Sequence, residues 1–268
     1  MSYFGGKQAV ITGAGSGFGR ALALQLNAQG CSLWLSDVNE DNLEQTRAAL
    51  SKPSVPVDIQ IVDVADRNAV HAWAERVSET TAHVDLVVNN AGVALMATVE
   101  ENRYEDLEWL MDINFWGVVH GTKAFLPLLR ASKQGHLVNI SSVFGMISAP
   151  TQSAYNAAKF AVRGYTEALR HEMADTNVHV MCVHPGGIKT NIVAGARGIT
   201  DADRQQASAD FTAFAKTTPD SAAQQLLKAC EKKKKRLMIG NDARYIALLT
   251  RLFPVNYAKF LPLSDLNN

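Results

Sequence analysis

The sequence has few cysteines, no net charge and no long apolar run, and each lack excludes a class of protein. Its three cysteines, Cys31, Cys182 and Cys230, stand far apart, as is typical of buried thiols in a reducing compartment. Acidic and basic residues number 26 each, so no excess of positive charge favours nucleic acid. No apolar run could span a membrane, and the first residues lack the apolar core of a signal peptide. We therefore expect a cytoplasmic protein with no nucleic-acid partner and no integral membrane segment.

Two kinds of catalytic motif are also missing. The seven histidines show no H-E-x-x-H or other metal-ligand spacing, so the sequence predicts no metal site. A G-x-S-x-G motif is absent, so a serine hydrolase would lack its nucleophile elbow. His184 lies before Pro185 at the end of a predicted strand, and we interpret it as a packed or capping imidazole.

What is present is an alternation of apolar strand-like and amphipathic helix-like segments. This order predicts an α/β fold, a doubly wound parallel (Rossmann) sheet with helices on both faces, as a single domain over residues 1–268. The mostly apolar residues 86–88 and 137–140 are typical of central strands, whereas residues 57–61 alternate as expected nearer a sheet edge. The remaining strands are predicted at 8–12, 32–36, 178–183 and 236–239. One crossover helix shows a buried stripe at helical spacing, formed by Val70, Trp73, Ala74 and Val77.

A glycine-rich turn follows the first predicted strand and precedes a helical pattern. Its spacing is Thr12-Gly13-x-x-x-Gly17-x-Gly19, which does not fit the strict G-x-G-x-x-G. Glycines allow close approach of the backbone, and the N-terminus of the helix offers free N–H groups to a pyrophosphate. The turn therefore predicts a dinucleotide site.

The next strand ends in an acid, Asp37, at the interval expected for a carboxylate that binds the ribose 2′-hydroxyl of NAD. A carboxylate there would repel the 2′-phosphate of NADP, so we predict NAD as the cofactor. Arg20 is the one nearby cation in the sequence. We expect it to face solvent or the pyrophosphate rather than the 2′ position.

A second pattern, Tyr155-Asn-Ala-Ala-Lys159, places a phenol and an ammonium on one face of a helix. A neighbouring ammonium favours the phenolate, so we expect Lys159 to lower the pKa of Tyr155 toward neutrality. That would make Tyr155 a usable acid or base for an alcohol or a carbonyl.

Together these motifs resemble those of the short-chain dehydrogenase/reductase family, over residues 7 to about 240. Asn89-Asn90-Ala91-Gly92, Asp63-Val64 and the stretch from Pro185 to Thr190 match further family motifs in family order. The catalytic residues that the resemblance implies are Asn114, Ser142, Tyr155 and Lys159. The implied cofactor site comprises Gly13, Gly15, Ser16, Gly17, Phe18, Gly19, Asp37, Asp63, Val64, Asn90, Ala91, Gly92, Tyr155, Lys159, Pro185, Gly186, Ile188 and Thr190.

The resemblance implies an NAD-dependent oxidoreductase that interconverts a secondary alcohol and a ketone. Tyr155 would exchange the hydroxyl proton, while Lys159 would also bind the nicotinamide ribose. Ser142 would hydrogen-bond the substrate oxygen, and Asn114 would hold a water that links Lys159 to solvent. Two alternatives stay open, namely an NAD-assisted epimerase or dehydratase on the same scaffold and a non-catalytic dinucleotide sensor.

The segments expected to form the substrate pocket carry few charges, which favours a lipophilic alcohol or ketone. The alternative is that these residues only pack the loops. A substrate loop is predicted at about 187–215, with Arg197 on a mobile, glycine-rich lid. The expected lining is Val93, Leu95, Met96, Val143, Phe144, Met146, Ile147, Ile192 and Val193.

A C-terminal extension is predicted at about 241–268, with a broad apolar face within residues 242–263. It could pack on the core, cover a neighbour's pocket or lie on a membrane surface, and the first two are favoured. The lysines at 232–235 are interpreted as a solvated helix end rather than a binding patch. By resemblance, helices at about 114–130 and 153–173 would form the faces of a homodimer or homotetramer, with Ala157, Ala161 and Val162 allowing close contact.

Overall fold

Seven short segments rich in aliphatic residues form the strands of one sheet. The computed structural model describes residues 2–261. The strands are β1 (Gln8–Thr12), β2 (Ser32–Asp37), β3 (Val57–Ile61), β4 (Leu86–Asn89), β5 (Gly135–Ile140), β6 (Val178–Pro185) and β7 (Arg236–Ile239). They confirm the predicted strands, with small extensions at some ends.

All neighbouring strands pair in parallel, in the order β3-β2-β1-β4-β5-β6-β7. This confirms the doubly wound parallel sheet, with β4 and β5 inside it and β3 at its edge. The strand order reverses between β1 and β4. Ligands of such sheets bind in the crevice at the carboxyl ends of the strands beside the reversal.

Helices cover both faces of the sheet. They are α1 (Gly17–Ala28), α2 (Glu40–Ala48), α3 (Arg67–Thr80), α4 (Tyr104–Met111), α5 (Gly117–Ala131), α6 (Ser153–Glu172), α7 (Asp201–Phe214), α8 (Pro219–Glu231) and α9 (Asn241–Leu252). Residues of α1 and α8 pack in one core layer, and residues of α3, α5 and α6 pack in the other. The stripe predicted from Val70 to Val77 is buried in the second layer. The lysines that follow α8 are exposed, as expected of a solvated helix end.

The helix predicted at about 114–130 begins earlier than expected. A π-helical segment, Asp112–Trp116, joins α4 to α5, and its flanking residues Met111 and Gly117 keep helical backbone angles. The chain is therefore helical from Tyr104 to Ala131 without a break, with one wide turn in the middle. Such wide turns are frequent at functional sites, and Asn114 lies in this one.

Candidate active site

The glycine-rich turn has the conformation that a dinucleotide cradle needs. Gly13 and Gly17 have φ of 65° and 48°, in the left-handed region that favours glycine. A Cβ on Gly13 would lie 2.8 Å from the Cα of Ala91, so no larger residue fits there. Helix α1 starts at Gly17, and its exposed N-cap Ser16 makes no side-chain capping bond. The N–H groups of the first turn thus remain open to an anion.

One predicted member of this cradle differs from the others. The side chain of Phe18 is buried in the core beneath α1, because the inward face of the first helical turn must pack on the sheet. Phe18 can therefore reach a cofactor only through its backbone N–H.

The ends of β1 and β4 are tied together beside this turn. The hydroxyl of Thr12 accepts hydrogen bonds from the backbone N–H of Asn90 at 2.9 Å and of Ala91 at 3.1 Å. In return the Asn90 amide donates to the carbonyls of Thr12 at 2.9 Å and Gly13 at 3.1 Å. These bonds hold the two strands at the reversal of strand order, which is the floor of the crevice.

The carboxylate of Asp37 lies against the glycine-rich turn. Its two oxygens accept from the backbone N–H of Gly15 at 2.8 Å and of Asn39 at 3.0 Å. Both donors are backbone groups, so the position of the negative charge does not depend on a flexible side chain. Asp63 and Val64 follow β3 on the same side, and Val64 is buried against Gly117.

The expected orientation of Arg20 is wrong. Its Nε donates to the Thr46 hydroxyl at 3.0 Å, and its Nη2 donates to the carbonyls of Asn42, at 3.0 Å, and Gly15. The guanidinium is thus held between the glycine turn and α2, on the side where Asp37 lies. Hydrogen bonds from a guanidinium are charge-assisted, so these acceptors hold the cation in place.

Asn114 is fully buried and bonds to the segment that leaves β4. Its Oδ1 accepts from the backbone N–H of Val93 at 2.8 Å, and its Nδ2 donates to the Val93 carbonyl at 2.9 Å. A Cβ on Gly92 would lie 3.1 Å from Asn114 Oδ1 and 3.5 Å from Lys159 Nζ. The absence of a side chain at Gly92 therefore leaves room between these two residues.

Lys159 and Tyr155 lie together on α6 at the carboxyl end of β5. The Lys159 ammonium is buried, donates to the Ile140 carbonyl at 3.2 Å and lies 5.5 Å from the centre of the Tyr155 ring. Burial lowers the pKa of Lys159 to about 8.

The expected lowering of the Tyr155 pKa is not found in the structure. Burial raises the pKa of Tyr155 to about 12, and a hydrogen bond with the Ser142 side chain only partly opposes this. The desolvation of the phenolate outweighs the ammonium, which lies over the ring face instead of beside the hydroxyl.

Ser142 is held where β5 ends and a short 3₁₀ turn, Val143–Gly145, begins. Its Oγ accepts from the backbone N–H of Phe144 at 3.1 Å, and its carbonyl is 2.9 Å from Nδ1 of His184. His184 is buried, and burial lowers its pKa to about 4, so it is neutral at pH 7. The interpretation of His184 as a packed, bonded imidazole is consistent with this contact.

The predicted lining of the pocket divides into two groups. Six of the nine residues are half-buried and can offer surface to a ligand: Val93, Met96, Val143, Phe144, Ile192 and Val193. The ring of Phe144 lies edge-on to that of Tyr155, with centroids 6.1 Å apart. The other three, Leu95, Met146 and Ile147, are buried in the interior, so they fill the protein instead of lining a pocket. An apolar pattern alone does not separate these two outcomes.

The segment around Arg197, expected to be a mobile lid, packs on neighbouring segments in the structure. The Arg197 guanidinium lies 3.9 Å from the centre of the Trp109 ring and pairs with Asp106 at 3.1 Å. The Arg197 carbonyl accepts from the backbone N–H of Met96 at 2.9 Å. The predicted substrate loop, about 187–215, therefore rests on the segment after β4, and helix α7 occupies its second half.

Two residues of the C-terminal extension contact the site, and the sequence did not reveal either. Asp242 accepts from the backbone N–H of Gly187 at 2.8 Å, and a Cβ on Gly186 or Gly240 would collide with its carboxylate. The Tyr257 hydroxyl accepts from the backbone N–H of Ser148 at 2.9 Å. Gly186 and Gly240, whose missing side chains make room for the Asp242 carboxylate, were the available signal. Residues 262–268 of the predicted extension lie outside the described residues.

Within residues 2–261, no three side chains of His, Cys, Asp or Glu meet as a metal site. In the same range, no helix is both long enough and apolar enough to cross a membrane.

Comparison with known families and proteins gives one consistent result. The family model described as short chain dehydrogenase matches residues 7–200. SadH of Mycobacterium tuberculosis is 47% identical over 274 aligned positions, which cover 98% of this chain and 99% of that protein.

Two solved structures extend the similarity to three dimensions. A short chain dehydrogenase/reductase from Burkholderia phymatum in complex with NAD superposes with a TM-score of 0.86 at 31% identity, covering 94% of this chain and 95% of its own. Levodione reductase superposes with a TM-score of 0.81 at 26% identity, covering 91% and 99%.

Proposed function

This chain belongs to the short-chain dehydrogenase family of oxidoreductases, and on that premise we propose that it interconverts a secondary alcohol and a ketone with NAD. The observation that carries the proposal is the grouping of Ser142, Tyr155 and Lys159 at the carboxyl ends of the strands, beside the glycine-rich turn. A protein that only sensed a dinucleotide would have no need of an acid/base group and an oxygen-binding hydroxyl at this position.

The residues around the turn fit a dinucleotide, and Asp37 favours NAD. Open N–H groups at the start of α1 suit a pyrophosphate, and the fixed carboxylate of Asp37 suits a ribose with free hydroxyls. The related Burkholderia structure contains NAD, which supports the same choice here. We propose that Pro185, Gly186, Ile188 and Thr190 contact the nicotinamide end.

The chemistry of this chain centres on one proton. When bound, NAD supplies the acceptor for the hydride that leaves the carbinol carbon. Tyr155, as phenolate, takes the hydroxyl proton of the alcohol, and in the reverse direction its hydroxyl returns a proton to the developing alkoxide. Ser142 donates a hydrogen bond to the substrate oxygen, which orients the substrate and stabilises developing negative charge. The phenolate forms against the raised pKa of Tyr155, and we assign its stabilisation to Lys159, whose ammonium lies 5.5 Å from the centre of the Tyr155 ring. Asn114 holds a water of the proton path.

The substrate class follows from the half-buried apolar residues near Tyr155. Phe144 and its neighbours offer hydrocarbon surface, which favours a lipophilic alcohol or ketone over a sugar. We also propose a homo-oligomer and a cytoplasmic location; the three buried cysteines, which form no disulfide, support a reducing compartment.

A panel of secondary alcohols and ketones, followed by NADH absorbance, tests the proposal on the wild type and on Tyr155→Phe. We expect Tyr155→Phe to bind NAD normally and to lower turnover by about 10²–10⁴-fold, the range for a positioned acid/base group. Tyr165→Phe is the matched control, since Tyr165 lies on the same helix against Phe115. Turnover of Tyr155→Phe at the wild-type rate would overturn the mechanism.

Two other outcomes of the panel would identify the alternatives. NAD binding without turnover of any alcohol or ketone would indicate a sensor. Conversion of a substrate with no net change in NADH would indicate an epimerase or a dehydratase.

A further inference from the structure

Helix α9 packs on the protein with one side and exposes an apolar stripe on the other. Ala243 and Leu249 are buried on the packed side. Tyr245, Leu248 and Leu252 point outward, with 51%, 55% and 60% of their surfaces exposed. Three large apolar side chains on one open helix face exceed what scattered surface hydrophobics explain.

The segment after α9 extends this stripe. The rings of Phe253 and Phe260 lie tilted to each other with centroids 4.8 Å apart, yet both remain partly exposed, and Val255 is exposed as well. We call these residues the C-terminal patch: Tyr245, Leu248, Leu252, Phe253, Val255 and Phe260.

The exposed charges within residues 241–261 all have one sign. Residues 241–261 contain four charged side chains, of which Asp242 is half-buried and bonded to Gly187. The other three, Arg244, Arg251 and Lys259, are exposed cations. Arg244 and Arg251 are two turns apart, so they follow one edge of the apolar stripe.

An apolar stripe with a cationic edge is the pattern of a helix that lies in the interface of an anionic membrane. We propose that the C-terminal patch docks on an anionic lipid surface. The phenylalanines, the leucines and Tyr245 would enter the boundary between headgroups and acyl chains, and the arginines would meet lipid phosphates and carboxylates.

A second copy of this chain is the competing occupant, and the charges disfavour it. A two-fold contact places a surface patch against the same patch of the partner. Here that contact would bring Arg244, Arg251 and Lys259 toward their own copies, with no exposed acid in residues 241–261 to compensate.

The C-terminal patch lies close to the proposed active site, so membrane docking would serve the uptake of a lipophilic substrate. Helix α9 packs against the 3₁₀ turn Val143–Gly145, and the Tyr257 hydroxyl binds the backbone of Ser148. Both contacts are with the segment that follows Ser142, so a docked membrane would lie next to one wall of the proposed substrate pocket. This use rests on the proposed function, whereas the docking itself does not.

Co-sedimentation of the full chain with lipid vesicles tests the proposal. We expect binding to vesicles of phosphatidylcholine with phosphatidylserine, weakened by salt, and little binding to phosphatidylcholine alone. Arg244→Gln with Arg251→Gln should weaken binding roughly fivefold per arginine, and Leu248→Glu should abolish it. Arg67→Gln with Arg130→Gln, two exposed arginines elsewhere, removes the same charge and should leave binding unchanged.

Three results would overturn the proposal. The wild type could fail to bind phosphatidylserine vesicles, or the Arg244/Arg251 double variant could bind as the wild type does. The third is a smaller mass for Leu248→Glu than for the wild type in light scattering, which would identify the patch as a subunit contact. The NADH assay on the same variants reports on the proposed function separately, and we expect it to be unaffected in the absence of vesicles.

Discussion

At the scale of single residues, the site holds the ammonium of Lys159 in the buried interior, where little water can solvate it. The Lys159 ammonium, on α6, is buried beside the end of β5, where it donates to the Ile140 carbonyl. A lysine in that position costs stability at neutral pH, because burial penalises the charged form. Functional sites often contain residues that lower stability because the activity requires them. Lys159 fits this description, since the proposed chemistry needs its positive charge.

The first prediction concerns the pH dependence of this cost. The pKa of Lys159 falls from 10.5 to about 8 in the folded protein, so the folded state loses the proton first as pH rises. Relative to Lys159→Met, the free energy of unfolding of the wild type should therefore increase between about pH 8 and pH 10.5, by on the order of 3 kcal/mol in total. Urea unfolding of both proteins across this range measures the difference.

The comparison controls for other effects of the substitution. Loss of the bond to Ile140 shifts the two curves by a constant, and titrating groups distant from Lys159 affect both proteins alike. Cys182 is coupled to Lys159, but burial raises its pKa to about 12, so it stays protonated across this range. A difference that stays flat from pH 7 to pH 10 would mean that the Lys159 ammonium is not desolvated as the structure indicates.

The second prediction concerns cofactor choice. Asp37→Asn keeps the shape of the side chain but removes the charge that repels a 2′-phosphate, so the preference for NADH over NADPH in kcat/KM should fall by about tenfold or more. Glu40→Gln removes an exposed acid at the start of α2 and serves as the control. A wild type that uses NADPH as well as NADH would show that Asp37 is misinterpreted. Arg20, held near the same side, would then be the residue that accepts the phosphate.

At the scale of elements, the features that could be predicted from the sequence were those that depend on neighbouring residues. Strands and the glycine-rich turn depend on patterns within a few residues, and the structure confirms their positions. The contacts of Asp242 with Gly187 and of Tyr257 with Ser148 join residues 55 and 109 positions apart, and no local pattern encodes them. Arg20 failed for a related reason, since its direction is set by acceptors on α2 rather than by its own helix.

The third prediction concerns the turn after β5 as a wall of the substrate pocket. Phe144 is half-buried beside Tyr155, so kcat/KM for a series of 2-alkanols should rise roughly fourfold per added methylene, at about 0.8 kcal/mol each, until the pocket is full. Phe144→Ala should flatten this dependence while retaining turnover.

Met146→Ala is the matched comparison, because Met146 lies in the same segment but is buried. It should lower the melting temperature by creating a cavity and leave the dependence on chain length in place. The apolar pocket would be refuted if a sugar or polyol were turned over faster than any lipophilic alcohol of similar size. That result would not affect the roles proposed for the catalytic residues.

At the scale of the whole molecule, the long helices α5 and α6 leave aromatic side chains in solvent. Trp116, the last residue of the π-helical segment before α5, is 48% exposed, and Phe160 of α6 is 41% exposed. Ala157 is exposed one turn before Phe160, as predicted for a close helix contact, whereas Val162 is buried in the chain's own core and cannot take part. Large exposed aromatics are typical of subunit contacts, in which aromatic residues are enriched.

The last prediction is that the protein is a homodimer or homotetramer through these helices. Light scattering at micromolar concentration should give a multiple of the 29.1 kDa chain mass, and Phe160→Glu should lower that mass because it buries a charge in the contact. Leu248→Glu, on the C-terminal patch, should keep the wild-type mass, since it changes a different surface. The two variants thus distinguish the subunit contact from the lipid-binding surface. Phe160→Glu should alter assembly and still bind vesicles, whereas Leu248→Glu should keep the wild-type assembly and lose vesicle binding. A wild type that stays at the chain mass would refute the assembly, and the aromatics on α5 and α6 would then need another partner.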